Sequence, residues 1–150
     1  MDSMDKQKFI FGSLFVLNNN LQTVGDQYFK VDDITTRQWF LTIIIDQFGD
    51  YSPTLSEVAE LMGSSHQNVK QLALKLEEKE FVKIQKDEKD ARVLRLSLTH
   101  KCETFWEKRQ EQDNQFIRDL FQDITEVELG VLSISLNKLI DRIFTMKKQY

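Results

Sequence analysis

A chain of 150 residues fits one domain, or two small ones sharing a core, and 41% hydrophobic residues with eleven Phe and two Trp supply a packed interior. One Pro and five Gly are too few for the many turns of an all-β fold, and a single cysteine, Cys102, excludes an intramolecular disulfide. The net charge of −4 hides an uneven spread: residues 64–101 carry nine Lys and Arg against six Asp and Glu, while the remainder is acidic, and local fields are what steer a polyanion.

Residues 5–29 read as a first helix. Ile10, Leu14, Leu17, Leu21, Val24 and Tyr28 recur at spacings of 4, 3, 4, 3 and 4, a heptad-like seam that Phe11 and Phe15 widen. The stretch "KQKFIFGSLFVL" has the basic start and apolar run of a signal peptide, but no small-residue cleavage site follows. No run approaches the roughly 18 to 20 apolar residues of a membrane span, so a cytoplasmic protein with no membrane partner is expected. "KVDDI" breaks the helical pattern. Thr35 then reads as an N-cap, with Gln38 at the capping-box position. Trp39, Phe40, Ile43, Ile44 and Phe48 cover this second helix almost all round, which predicts burial. Gly49 is expected to end it.

Pro53 fits a short extended link, and Thr54 or Ser56 can cap a third helix with an apolar stripe of Leu55, Val58, Ala59 and Met62. Gly63 stops it. Ser64 and Ser65 offer the next N-cap. In the fourth helix Val69, Leu72, Ala73 and Leu76 point inward, while His66, Gln67, Lys70, Gln71 and Lys75 occupy the other side and Asn68 the flank. Two short helices joined by a tight turn make a helix-turn-helix pattern. "FVKIQK", "DEKDA" and "RVLRLSL" follow as strand, charged loop and strand, with Leu94, Leu96 and Leu98 alternating with Arg95 and Ser97.

Thr99 caps a long helix running to about Asp123. Its middle, "EKRQEQDNQ", is polar all round, which predicts a solvent-bridging link between two packed regions. A last helix begins near Thr125, with Glu128 completing a capping box. Leu129, Leu132, Leu136, Leu139, Ile143 and Met146 recur at spacings of 3, 4, 3, 4 and 3, a second seam. The two seams can pair within one chain or interlock between two. The second arrangement is the expectation: a homodimer joined through Ile10, Leu14, Leu17 and Leu21 with Leu129, Leu132, Leu136, Leu139 and Ile143.

A helix-turn-helix followed by a β-hairpin is a winged helix. The expected fold is therefore mainly α (α+β): a dimerisation helix in 1–34, a winged helix-turn-helix in 35–99, and a linker helix with a C-terminal dimerisation helix in 100–150. The logic suits duplex DNA, whose major groove carries a readable donor and acceptor pattern. Gln67 and Asn68 can pair bidentately with adenine, His66 and Gln71 can donate or accept, and Lys70 and Lys75 can reach guanine or phosphate. The hydroxyls of Ser64 and Ser65 and the free N–H groups of the helix start suit a phosphate. On the hairpin, Lys86, Lys89, Arg92 and Arg95 are the cations that can approach the minor groove or its flanking phosphates. Asp90, two residues before Arg92, can lock the loop so that the arginine is held in one geometry.

"TLSEVAELMGSSHQNVKQLALKLEEKEFVKIQKDEKDARVLRLSLT", residues 54–99, resembles the core signature of the MarR family of multiple-antibiotic-resistance regulators, and the upstream "ITTRQWFLTIII" is similar to that family's second-helix entry. The most specific element is "DEKDARVLRLSLT", whose Asp90 and Arg92 match the family's wing Asp-x-Arg. The resemblance implies a dimeric winged-helix transcription regulator, commonly a repressor, that releases DNA on binding a small phenolic or other amphipathic ligand or on cysteine oxidation. No cofactor is expected. Two positions depart from the pattern. Glu80 stands where the family usually ends the recognition helix with Gly, so a different helix end is expected. Lys89 stands where Arg is frequent, keeping the charge without the planar fork. Leu74 is apolar on the solvent side and is a candidate to touch the wing.

Two other classes remain beside DNA binding. A winged helix can serve as a protein-interaction module, and Cys102 can act as a thiol-redox switch if its pKa is lowered near a helix start. His100 and Cys102 form an H-x-C pair, but a metal site needs three or four ligands and nothing nearby completes one. No glycine-rich phosphate loop or metal-protease motif marks an enzyme.

Overall fold

Six α-helices, one 3-10 turn (Lys30–Asp32) and one hairpin follow one another along the chain: α1 (Ser3–Phe29), α2 (Thr36–Asp46), α3 (Leu55–Met62), α4 (His66–Glu78), β1 (Val82–Lys86), β2 (Leu94–Leu98), α5 (His100–Leu120) and α6 (Glu126–Lys147). The computed structural model describes residues 1–150 and divides into two units, Met1–Phe105 and Trp106–Tyr150.

In the first unit, α1 starts two residues before the expected point. Asp2 caps it, its carboxylate accepting from the Asp5 N–H while Asp5 returns a bond to the Asp2 N–H. Only Gly25 and Phe29 of this helix are buried. A Cβ at Gly25 would collide with the Thr36 side chain, so the missing side chain lets α1 lie close against the start of α2. Phe29 stacks on Trp39, with ring centroids 5.6 Å apart. The row Ile10, Leu14, Leu17 and Leu21 stays exposed.

The Thr35–Gln38 capping box of α2 forms as read, and Leu41, Thr42, Ile44 and Ile45 are its buried residues. Burial all round was expected, yet Phe40 is 39% exposed and Trp39, Ile43 and Phe48 are half-buried. The helix stops at Asp46, and Gly49, at φ +62, closes the following turn rather than the helix. Of the two candidate caps for α3, Thr54 serves, and Gly63 ends the helix in the left-handed region at φ +69. Leu41, Leu55, Val58, Val69, Leu76 and Leu96 are fully buried; they bring α2, α3, α4 and the hairpin onto one core.

The end of α4 departs from expectation. Glu80 does not avoid the left-handed conformation but adopts it, at φ 63. The Phe81 N–H bonds the Leu76 carbonyl at 2.9 Å and the Glu80 N–H bonds the Glu77 carbonyl at 2.9 Å, the paired bonds of a Schellman cap. Phe81 and Leu76 are both buried, supplying the apolar contact that accompanies this motif. The Glu80 carbonyl accepts from Thr99 Oγ1 at 2.6 Å, and its carboxylate pairs with Lys101 at 3.2 Å on an exposed surface. Tertiary bonding thus holds a backbone that glycine would adopt at lower cost. Glu80→Gly should raise the unfolding free energy by up to about 1 kcal/mol, measured by urea denaturation.

The strands pair antiparallel with Val82 opposite Leu98 and Lys86 opposite Leu94. A single bridge, Thr54 to Arg95, adds a third edge, and the Leu96 N–H donates to the Pro53 carbonyl at 2.9 Å. Thr99 accepts from the Cys102 N–H at 3.2 Å and so caps α5.

In the second unit, Thr125 and Glu128 form the expected capping box of α6. No residue of α6 is buried. The polar middle of α5 is not uniformly exposed as expected: Arg109 is only 5% exposed and its guanidinium bonds Asp113 one turn on at 3.2 Å. No helix is long and apolar enough to cross a membrane.

Candidate nucleic-acid interface

The recognition face is built on α4. Ser65 caps it by accepting from the Asn68 N–H at 3.1 Å, so its hydroxyl oxygen is already engaged. His66, Gln67, Asn68, Gln71 and Lys75 are exposed on the helix front, while Lys70 and Ser64 are half-buried. Val69, Ala73 and Leu76 face inward and fix the rotation of the helix. Leu74 is 38% exposed.

A residue absent from the sequence reading joins this face. Arg37, in the first turn of α2, donates from Nη2 to Ser64 Oγ at 3.3 Å. Together with Asn68, Gln71, Leu72 and Lys75 it lines an open cleft of about 360 Å³. A second open cleft, about 530 Å³, is lined by charges of both signs, with Asp26, Asp33 and Glu78 among Lys30, Lys75 and Lys79.

The wing carries the most defined geometry. Arg92 makes two parallel bonds to Asp90, Nε to Oδ1 at 3.1 Å and Nη2 to Oδ2 at 3.1 Å, and its backbone N–H adds a third at 3.0 Å. This fork fixes the plane of a guanidinium whose side chain is still 91% exposed. Asp87 organises the loop before it, Oδ2 accepting from the N–H groups of Lys89 and Asp90 at 3.1 and 3.0 Å. Lys86 and Lys89 stand exposed on either side.

Arg95 is not part of the outward set in which it was expected. Its Nε bonds Asp87 Oδ1 at 2.6 Å, and Nη1 bonds the Ser52 carbonyl at 2.8 Å and the Tyr51 hydroxyl at 3.1 Å. The Tyr51 hydroxyl donates onward to Glu57 at 2.7 Å. The guanidinium lies 5.4 Å from the Tyr51 ring centroid. Arg95 therefore fastens the base of the wing to the segment preceding α3. The side-chain bond from Arg92 holds the Asp90 carboxyl below the usual aspartate range, the Arg95 bond does the same for Asp87, and the Thr54 N–H leads the same effect at Glu57. Groups lowered in this way keep their pairs as pH falls to the ordinary carboxylate value and lose them only on passing through the lowered one.

Cys102 is 1% exposed, and burial, reinforced by Glu103 and Asp46, pushes its thiol up to about 12. The thiol-switch alternative needed a lowered value and an accessible sulfur; both conditions run the other way. His100 is exposed and sits 3.8 Å from Glu103, so the H-x-C pair does not converge on one point.

No family model matches the sequence, and no curated protein matches it. Solved structures do match. A MarR/EmrR family transcriptional regulator from Acinetobacter sp. ADP1 superposes with a TM-score of 0.78 at 18% identity, over 93% of this chain and 97% of that one. The fold is that of the MarR regulators. A MarR protein from Peptoclostridium difficile gives 0.76 at 19% identity, covering 89% of this chain and 86% of that chain. The S. aureus MepR–DNA complex gives 0.74 at 20% identity, covering 88% and 97%. The MarR fold thus spans nearly the whole chain, and the mainly α class with a two-stranded wing stands as expected.

Proposed function

We propose that this protein is a duplex-DNA-binding transcription regulator that works in the cytoplasm as a homodimer on a pseudo-palindromic site. The observation that carries the reading is the Asp90–Arg92 fork: an exposed arginine held in one plane on the wing, in a chain whose α4 also presents an exposed polar face. A planar, pinned guanidinium suits a phosphate or a narrow minor groove. Gln67, Asn68 and Gln71 supply the donors and acceptors that base edges require. The likeness to a fold solved with DNA in MepR supports the same partner. Exposed apolar rows on α1 and α6 support a second copy of the chain. A dimer would set two recognition helices about 34 to 36 Å apart, one turn of duplex. The family resemblance adds repression relieved by a small amphipathic ligand, which a thermal-shift screen would detect as a raised Tm.

Gel-shift titration across a salt series tests the reading. Binding should weaken steeply with salt as counterions are released. Arg92→Ala should lower affinity on every sequence alike, whereas Gln67→Ala and Asn68→Ala should change sequence preference by about 1 to 3 kcal/mol for each lost bidentate contact. Three variants that bind as the wild type does would remove these assignments. No binding at low salt would leave a protein-interaction module as the better account.

A further inference from the structure

We propose that Arg37 and Lys75 form a cationic clamp for one DNA backbone phosphate in each half-site, seated in the cleft between the start of α2 and the recognition helix. This rests on the DNA-binding reading above and extends it to an element outside the helix-turn-helix and the wing.

The cleft is about 360 Å³ and its wall is Arg37 on one side and Asn68, Gln71, Leu72 and Lys75 of α4 on the other. It opens to solvent beside the same exposed residues assigned to base contact. Neither Arg37 nor Lys75 is in an ion pair, whereas Lys79, the residue that caps the C-terminal end of α4, is tied to Asp33 at 3.0 Å. Two cations outside any ion pair therefore line one gap, Lys75 also bordering the mixed-charge cleft. Arg37 is also held in place: its Nη2 donates to Ser64 Oγ at 3.3 Å, across 27 residues of sequence. That single bond leaves the remaining guanidinium N–H groups free to grip a phosphate in the planar, two-point manner lysine cannot reproduce. It also ties Arg37 to the residue just before the α4 cap, so a phosphate bound there fixes the angle at which α4 enters the groove. Such contacts position without reading sequence.

The test uses the full-length protein and the duplex it selects from random DNA. Arg37→Ala should weaken binding equally on all sequences and lower the slope of log K against log salt by about 0.9 per subunit. Arg37→Lys should keep the slope and lose only part of the affinity. Replacing one phosphate per half-site with a neutral methylphosphonate should weaken the wild type but not Arg37→Ala. A purely structural arginine predicts something else: a lower Tm for Arg37→Ala with an unchanged salt slope, and that result overturns the clamp. So does a survey of neutralised phosphates in which every one weakens wild type and variant alike. If selection recovers no duplex at all for the wild type, the DNA-binding reading itself fails, and the clamp with it; binding by the wild type with no slope change in the variant defeats the clamp alone.

Discussion

Glutamate placed at both Leu17 and Leu136 is expected to yield a folded monomer with about 10²- to 10⁴-fold weaker binding to a palindromic duplex, the factor lost when two linked contacts become one. Leu17 is 62% exposed and Leu136 38% exposed in the single chain. If the chain acts alone, polar residues at such positions should be harmless or should improve solubility. If a second copy covers them, each carboxylate meets an apolar surface and must be desolvated without a partner, which costs several kcal/mol. The two substitutions therefore separate the cases sharply. Sedimentation reads the mass, circular dichroism reads the fold, and gel shift reads the binding. A wild type that sediments as a monomer, or a double variant that remains a dimer, would contradict the homodimer.

The second large effect is on folding. Leu76→Ala should cost about 3 to 5 kcal/mol, whereas Leu74→Ala, two residues earlier on the same helix, should cost under about 1 kcal/mol. Leu76 is fully buried, and its carbonyl accepts the Phe81 N–H that ends the helix. Truncation leaves a cavity among α2, α3 and β1, the elements packed around α4. Leu74 is 38% exposed and leaves no such void. Against a total stability of about 5 to 15 kcal/mol, the first change threatens the fold and the second does not. Urea denaturation of the two variants side by side checks the contrast; equal losses would mean that α4 is rotated from the position described.

What could be read from the chain alone was local. Capping boxes at Thr35 and Thr125 need only residues three apart, and the helix-turn-helix stripe repeats within one or two turns. The Asp90–Arg92 fork spans two residues, so its geometry was within reach of spacing. Arg95 has partners, Tyr51 and Ser52, that lie 44 and 43 residues away; nothing in "RLSL" says that the arginine turns back. Arg37 is hidden in the sequence for the same reason. It sits in a helix dominated by apolar residues, and its link to Ser64 appears only once α2 and α4 are packed. The expected burial of Phe40 failed because a helix apolar on every side does not say which side the neighbours leave uncovered. Glu80 is anomalous in the sequence itself, and the Phe81 N–H bond to Leu76 that closes its turn is local, but the bond from Thr99 that helps hold it left-handed comes only with the hairpin's return. The exposed rows of α1 and α6 match their heptad spacing, yet periodicity cannot say whose surface they meet.

Thr54 has a double attachment whose mechanical result is simple. It caps α3 and also bridges to Arg95 in the wing, so the second strand of the hairpin is fastened to the start of α3. Torque applied at the tip is carried straight to the first turn of α3. On the function proposed here, a groove too narrow or too wide for the fingertip is accommodated by bending the duplex or tilting the whole reading head, not by flexing the finger.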